Sequence, residues 1–259
     1  MGYDFIVQAL GGLMSITGEH DGGPVKAGVA LVDVLTAKDA TVGILAALAA
    51  RTSTGRGAHL ELNLLSSLQG ALANQGQAFL GAGKVPTRMG NDHPSIVPYQ
   101  LLECSDAPLA VACGNDGQFT KLTRVLGIPD IAVDPRFATN NARVAHRDEL
   151  VPILEAALST GTAVHWQDTL TDAGVPAGHV AGIDEGLEYA QSLGLEPTIE
   201  VHDAAGVPVG RQIRNPITWT PPIPVRTEAP PQLGEHDAAV LSWLGDRLSA
   251  ASSSAASGG

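Results

Sequence analysis

The sequence predicts a mixed α/β and α+β protein, and three observations carry that prediction. Apolar residues recur at spacings of three and four over residues 29–51, the period of a helix face. Residues 59–64 instead alternate apolar and polar with period two, as a half-buried strand does. Composition supplies the third: 44% of residues are hydrophobic but only 4% aromatic, with Ala, Gly, Leu and Val dominant. Such a chain predicts small-residue helices packed closely on strands.

At 259 residues the chain can form one large domain or two smaller ones with real cores. Fifteen Lys and Arg stand against 27 Asp and Glu, a net charge of −12, and the basic residues form no cluster. That argues against nucleic acid and anionic membrane surfaces as partners. Two cysteines, Cys104 and Cys113, make no disulfide framework, which predicts a reduced, cytoplasmic protein. No apolar run reaches the ~20 residues of a membrane span, and the start of the chain has no basic n-region or cleavage site of a signal peptide.

Taken in order, Gly2-Tyr3-Asp4 opens an apolar helical stretch that Gly11 and Gly12 interrupt and Gly18 ends. Aspartate is a strong helix N-cap, so Asp4 reads as the cap of this stretch. A polar turn holding His20 and Asp21 follows, without the spacing of a metal site. In the long helix over 29–51, Asp33 stands among Leu31, Val32, Val34 and Leu35. It reads as a half-buried carboxylate bonded to neighbouring backbone, ahead of a binding role. A turn at 52–57, the strand at 59–64 and a second helix over 64–80 come next. The long loop 81–98 carries His93 and marks a domain boundary; loops of this length are usually functional or linkers.

A hairpin over 99–104 and 109–113 leads into Gly114, Asn115, Asp116, Gly117 and Gln118, then a helix over 119–126. A strand, a glycine loop and a helix in succession can present backbone N–H groups to an anion or carbonyl, although a plain turn is the default. Helices from 139, 150 and 162, a short strand at Val180 and a helix over 184–193 make this part α+β. A second hairpin over 198–202 and 207–213 precedes a proline-rich crossing through 215–231, held extended by its prolines. A final helix over 237–248 ends in a Ser/Ala/Gly-rich tail that reads as disordered. The expected divisions are 1–85, 86–195, 196–247 and the tail 248–259.

Several stretches together resemble the class III (family III) CoA-transferases, the group of formyl-CoA transferase and carnitine CoA-transferase. The first are Gly2-Tyr3-Asp4, residues 11–18, residues 24–30 with Asp33, Thr54-Gly55-Arg56-Gly57 and residues 60–65. Gly90-Asn91-Asp92-His93-Pro94 with Val97-Pro98-Tyr99-Gln100, and residues 114–118, come next. Asp134-Pro135-Arg136-Phe137 with Asn140, Arg143 and residues 147–150, then Gly174-Val175-Pro176 and Leu233-Gly234-Glu235-His236, complete the set. Their order and spacing cover residues 2–247.

The resemblance implies a partial class III fold: the remainder of a large domain, long linker helices and a smaller α+β domain. The Rossmann-like half that precedes this region in the family, and supplies most CoA contacts, is not in the chain, so the chain is expected to be truncated. It implies transfer of CoA between an acyl-CoA and a small carboxylic acid through a covalent aspartyl intermediate. By the match to the Tyr3-Asp4 motif, Asp4 is the expected nucleophile. Residues 114–118 correspond to a glycine loop that shields the intermediate from water, with Gly114 and Gly117 as hinges and Gln118 as a hydrogen-bond donor. Tyr3, Gln8, His93 and Tyr99 are candidate substrate contacts. No metal and no tightly bound cofactor are expected; coenzyme A is a substrate. An interlocked homodimer is the expected assembly. Residues 63–67 and 95–100 look closest to the succinyl-CoA:glutarate, dicarboxylate branch. Two alternatives stand beside this: a non-catalytic remnant, and an isomerase like α-methylacyl-CoA racemase, in which a His stands where this chain has Tyr3.

Overall fold

The computed structural model describes residues 2–256, with side-chain environments through residue 247. The chain divides into two compact units, Met1–Val180 and Ala181–Gly259.

The first unit begins with four helices, α1 (Asp4–Leu10), α2 (Leu31–Thr54), α3 (Leu64–Ala71) and α4 (Ala73–Ala82). Val7, Val32 and Leu68 bury together where α1, α2 and α3 meet. Gly11 permits that approach: a Cβ there would lie 2.4 Å from Leu68 Cδ2 and 2.8 Å from the Val7 carbonyl. The single helix expected over 64–80 is two, broken where Ala73 takes φ 45°. The strand expected over 59–64 is not one. Residues 59–63 are exposed and in no regular element, Leu64 already begins α3, and Asn63 caps that helix by accepting from the Ser66 N–H at 2.9 Å. Alternation supplied the strand pattern, but no neighbouring strand among the described residues pairs with it.

The sheet follows. β1 (Tyr99–Glu103), β2 (Pro108–Ala112) and β3 (Ala177–His179) lie in the order β1-β2-β3, each pair antiparallel. Gln100 and Leu102 on β1, and Leu109 and Val111 on β2, point into the core. Helices α5 (Asp116–Val125), α6 (Asn140–Ala145), α7 (Arg147–Leu158) and α8 (Ala163–Asp172) complete this region. Phe119, Leu122, Phe137, Leu150, Leu154, Leu158 and Leu170 are fully buried in its core. The hairpin register sets Tyr99 opposite Ala112, so Cys113 lies beyond the ladder and both cysteines are free thiols, as their spacing predicts.

The expected boundary at 81–98 falls inside the first unit, for a polar reason. Asn140 donates to the Ser95 carbonyl at 2.8 Å and accepts from the Val97 N–H at 3.2 Å. Arg143 donates to the Val97 carbonyl at 2.6 Å. Arg147 donates to the His93 carbonyl, to Gln100 Oε1 at 2.8 Å, and pairs with Asp92 at 3.3 Å. Three polar side chains of α6 and α7 thus hold the backbone of the loop against the sheet region.

The second unit holds α9 (Ile183–Ser192), the hairpin β4 (Thr198–His202) and β5 (Pro208–Ile213), a proline-rich extended segment and α10 (Asp237–Ala256). Gly206, at φ 79°, makes the hairpin turn, and Arg214 pairs with Glu196 at its base. Helix α10 continues to Ala256, beyond the end at residue 248 expected from sequence. Residues 257–259 of the tail read as disordered lie outside the described residues.

Candidate active site at the start of α2

Helix α2 begins without a cap of its own. Its N-cap residue is Ala30, which has no acceptor to offer the unpaired N–H groups of the first turn. Asp4 supplies it from another helix. Asp4 Oδ1 accepts from the Val32 N–H at 2.7 Å and from the Asp33 N–H at 3.3 Å. Its second oxygen, Oδ2, accepts from Gln8 Nε2 at 2.7 Å. The reading of Asp4 as cap of its own helix is therefore corrected: Tyr3 is the N-cap of α1, Asp4 its first residue, and the helix that Asp4 caps is α2. A cap of this kind contributes about 0.5–2 kcal/mol. Sequence could not show this, because the acceptor and the N–H groups it serves are 28 and 29 residues apart.

Gln8, expected among the substrate contacts, is fully buried. While Nε2 holds Asp4, Oε1 accepts from the Ala27 N–H at 2.9 Å. Tyr3 is 74% exposed and makes no side-chain cap.

Asp33 is placed differently from the half-buried, bonded carboxylate expected. Its residue is exposed, and only its backbone N–H takes part in the cap. Its carboxylate has no hydrogen bond or ion pair among the described residues. It stands in the first turn of a 24-residue helix, where the macrodipole favours negative charge. Of the two carboxylates, Asp4 is engaged by three donors and Asp33 is open to an incoming group. The signal in the sequence was a carboxylate inside an apolar run at a helix start.

The segment 114–118 proves to be a helix entrance. Asn115 caps α5, accepting from the Gln118 N–H at 2.9 Å, while Gln118 Oε1 accepts from the Gly114 N–H at 2.8 Å. These are the reciprocal bonds of a capping box, shifted by one residue. Asp116 pairs with Arg143 at 2.8 Å. The Arg143 side chain is wholly buried, lies 4.3 Å over the Phe119 ring and also donates to the Phe137 carbonyl at 2.9 Å. Neither Gly114 nor Gly117 has the positive φ that would require glycine, so the hinge role has no backbone signature here.

His93 and Tyr99 are brought together, ring centroids 5.1 Å apart, and the His93 N–H donates to the Tyr99 carbonyl. His93 Nδ1 accepts from the Ser95 N–H at 3.1 Å. Beside them Asn91, Tyr99, Gln100, Ala110, Ala112 and Pro176 line an open cavity of about 360 Å³. The predicted site residues therefore fall into separate contacts: Asp4 with Gln8, His93 with Tyr99, and Gly114 and Asn115 with Gln118.

Comparison with known proteins agrees with this architecture. The family model for CoA-transferase family III matches residues 1–237. A succinate–glutarate CoA-transferase of Agrobacterium fabrum is 43% identical over 94% of this chain and 60% of its own length. An acetyl-CoA:oxalate CoA-transferase of Acetobacter aceti is 39% identical over 73% of this chain and 49% of its own. A CAIB/BAIF family protein from Brucella suis superposes with a TM-score of 0.79 at 41% identity, covering 94% of this chain and 63% of that one. The chain thus spans about half to two-thirds of the length of these relatives, and along nearly all of its own length it belongs to CoA-transferase family III.

Proposed function

We propose that this chain carries the nucleophilic part of a CoA-transferase active site and that Asp33 is the nucleophile. The observation that carries the reading is the contrast between the two carboxylates at the start of α2: Asp4 is spent on capping and Asp33 is open. This replaces Asp4, the nucleophile expected from the resemblance, because three hydrogen bonds hold the Asp4 carboxylate between α1 and α2 and draw on its electron density, whereas nothing of the kind holds Asp33.

The chemistry is nucleophilic catalysis by a carboxylate. Asp33 attacks the acyl carbonyl of an acyl-CoA; the C–S bond breaks, CoA leaves as thiolate, and a mixed anhydride forms. The thiolate attacks the aspartyl carbonyl, releases the donor acid as carboxylate and leaves an aspartyl-CoA thioester. The acceptor carboxylate attacks that thioester, giving a second anhydride and freeing the thiolate. Thiolate attack on the acceptor's acyl carbon yields the new acyl-CoA and restores Asp33. The thioester's free energy is conserved throughout.

Succinyl-CoA as donor and glutarate as acceptor are the first substrates to try, since the Agrobacterium relative is named for that acid pair. A homodimeric assembly and a cytoplasmic location belong to the same reading. No helix among the described residues is long and apolar enough to cross a membrane. A shielding role for residues 114–118 rests on the resemblance; the geometry supports a local role in capping α5.

The test uses the enzyme that contains this chain, incubated with succinyl-CoA, digested for mass spectrometry, and assayed in parallel with succinyl-CoA and glutarate for glutaryl-CoA. A CoA adduct on the peptide carrying Asp33, lost in Asp33→Asn together with glutaryl-CoA formation, is the expected result. An adduct on Asp4 restores the original assignment. Proton exchange α to the thioester without acyl transfer points to the racemase-like reading.

A further inference from the structure

The Asp33 carboxylate has no hydrogen bond or ion pair among the described residues, so its position is set by the turn that carries it. That turn is tied to α1 by a continuous polar chain. The Ala27 N–H donates to Gln8 Oε1 at 2.9 Å, Gln8 Nε2 donates to Asp4 Oδ2 at 2.7 Å, and Asp4 Oδ1 accepts from the Val32 and Asp33 N–H groups at 2.7 and 3.3 Å. Both ends of the segment from Ala27 to Asp33 are thereby fastened to one face of α1, where Asp4 and Gln8 are four residues apart.

The chemistry of the middle link is specific. Ala27 offers a donor and needs an acceptor; Asp4 offers an acceptor and needs a donor. A neutral primary amide has both on one planar group. An ionised glutamate in its place would offer acceptors only and set a second negative charge against Asp4. Gln8 has no exposed surface and Val32 is likewise fully buried. Breaking the link at Gln8 therefore removes a buried polar partner beside the packed Val7, Val32 and Leu68.

We infer that Asp4 and Gln8 form a latch that positions Asp33 for attack, and that neither touches substrate. This rests on Asp33 being the nucleophile. Displacing a reacting group by about an ångström costs on the order of 100-fold in rate, and the latch is what sets the first turn of α2.

Two variants of Gln8 test it. Gln8→Leu removes the link, and kcat is expected to fall about 10- to 100-fold with KM for the acyl-CoA little changed. Gln8→Glu is expected to be impaired when its carboxyl is ionised and to recover, relative to wild type, as pH falls, beginning above the ordinary Glu range because burial beside Asp4 disfavours the second charge. Once protonated, the introduced carboxyl offers one O–H donor and one carbonyl acceptor, the same pair that the amide offers. A merely structural defect would not give that pH-dependent recovery. Amide hydrogen exchange supplies a readout that does not depend on turnover. In Gln8→Leu the Val32 and Asp33 amides are expected to exchange at least about tenfold faster, with those of α5 unchanged.

Wild-type kcat in Gln8→Leu, or unchanged exchange at Val32 and Asp33, would overturn the latch. If the CoA adduct in the wild-type enzyme is on Asp33 while Gln8→Leu turns over normally, the latch alone fails. If the adduct is on Asp4, the nucleophile assignment fails and the latch with it.

Discussion

The sheet region and the four leading helices are built on different terms. In the first, sixteen apolar residues bury together, and even Arg143 is drawn wholly inside, its donors divided between two carbonyls and Asp116. In the second, Val7, Val32 and Leu68 make the core, while Val42, Ile44, Leu45 and Leu48 of α2 stay exposed. Packing fixes the sheet region. End-on hydrogen bonds fix the start of α2, and that is where the candidate nucleophile stands. Truncation is therefore expected to cost the sheet region stability, whereas polar substitution at Asp4 or Gln8 costs the helical region its chemistry.

The largest effect on stability belongs to the sheet core. Phe119→Ala is expected to lose about 3–5 kcal/mol in chemical denaturation. Val7→Ala, its counterpart in the helical region, removes about two methylenes' worth of burial, on the order of 1.5 kcal/mol. Equal losses would break the comparison. Next, Arg143→Met leaves the Val97 and Phe137 carbonyls without their guanidinium donor and is expected to cost about 2–4 kcal/mol. A loss below 1 kcal/mol would show that packing against Phe119, not hydrogen bonding, is what Arg143 supplies.

Gly11→Ala tests the helical region by overpacking. The added methyl meets Leu68 and the Val7 carbonyl, and a loss of about 1–3 kcal/mol is expected. Thiol labelling separates the regions without mutation. Burial pushes the Cys113 thiol up to about 12, and burial with the Asp106 and Glu103 charges pushes Cys104 up to about 11. Cys113, with no exposed surface, should react only when the sheet region opens, with a denaturant dependence matching global unfolding.

The smallest effect is at the surface. Hydrogen bonds from the Arg136 side chain, and then from its backbone N–H, hold the Asp134 carboxyl below its ordinary range. A carboxyl lowered in the folded state stabilises fully above its unfolded value and loses that contribution as pH falls through the folded one. Asp134→Asn should therefore lower the melting temperature slightly at pH 7, with the difference from wild type vanishing in acid. A difference that persists in acid would mean the carboxylate charge is not its source.

Much of the fold was legible because local rules sufficed. The hairpin of β1 and β2, the α5–α8 helices and the second hairpin follow from periodicity and turn residues, while the caps at Asn115 and Thr162 came only with the structure. The stretch 59–64 shows the limit: alternation names a strand, but a strand exists only where another pairs with it. The candidate site shows the limit more sharply. Asp4, Gln8 and Asp33 were all visible, and Asp4 was read as a cap and as a nucleophile.

By itself the sequence determined the family pattern, the mixed helix-and-sheet architecture, the unpaired cysteines and the presence of two carboxylates bracketing the turn into α2. Only the tertiary structure decided which carboxylate is bound and which is open. A hydrogen bond spends a lone pair on a particular N–H group, and the N–H groups that Asp4 serves are 28 and 29 residues away, brought within 2.7 and 3.3 Å by the packing of α1 against α2.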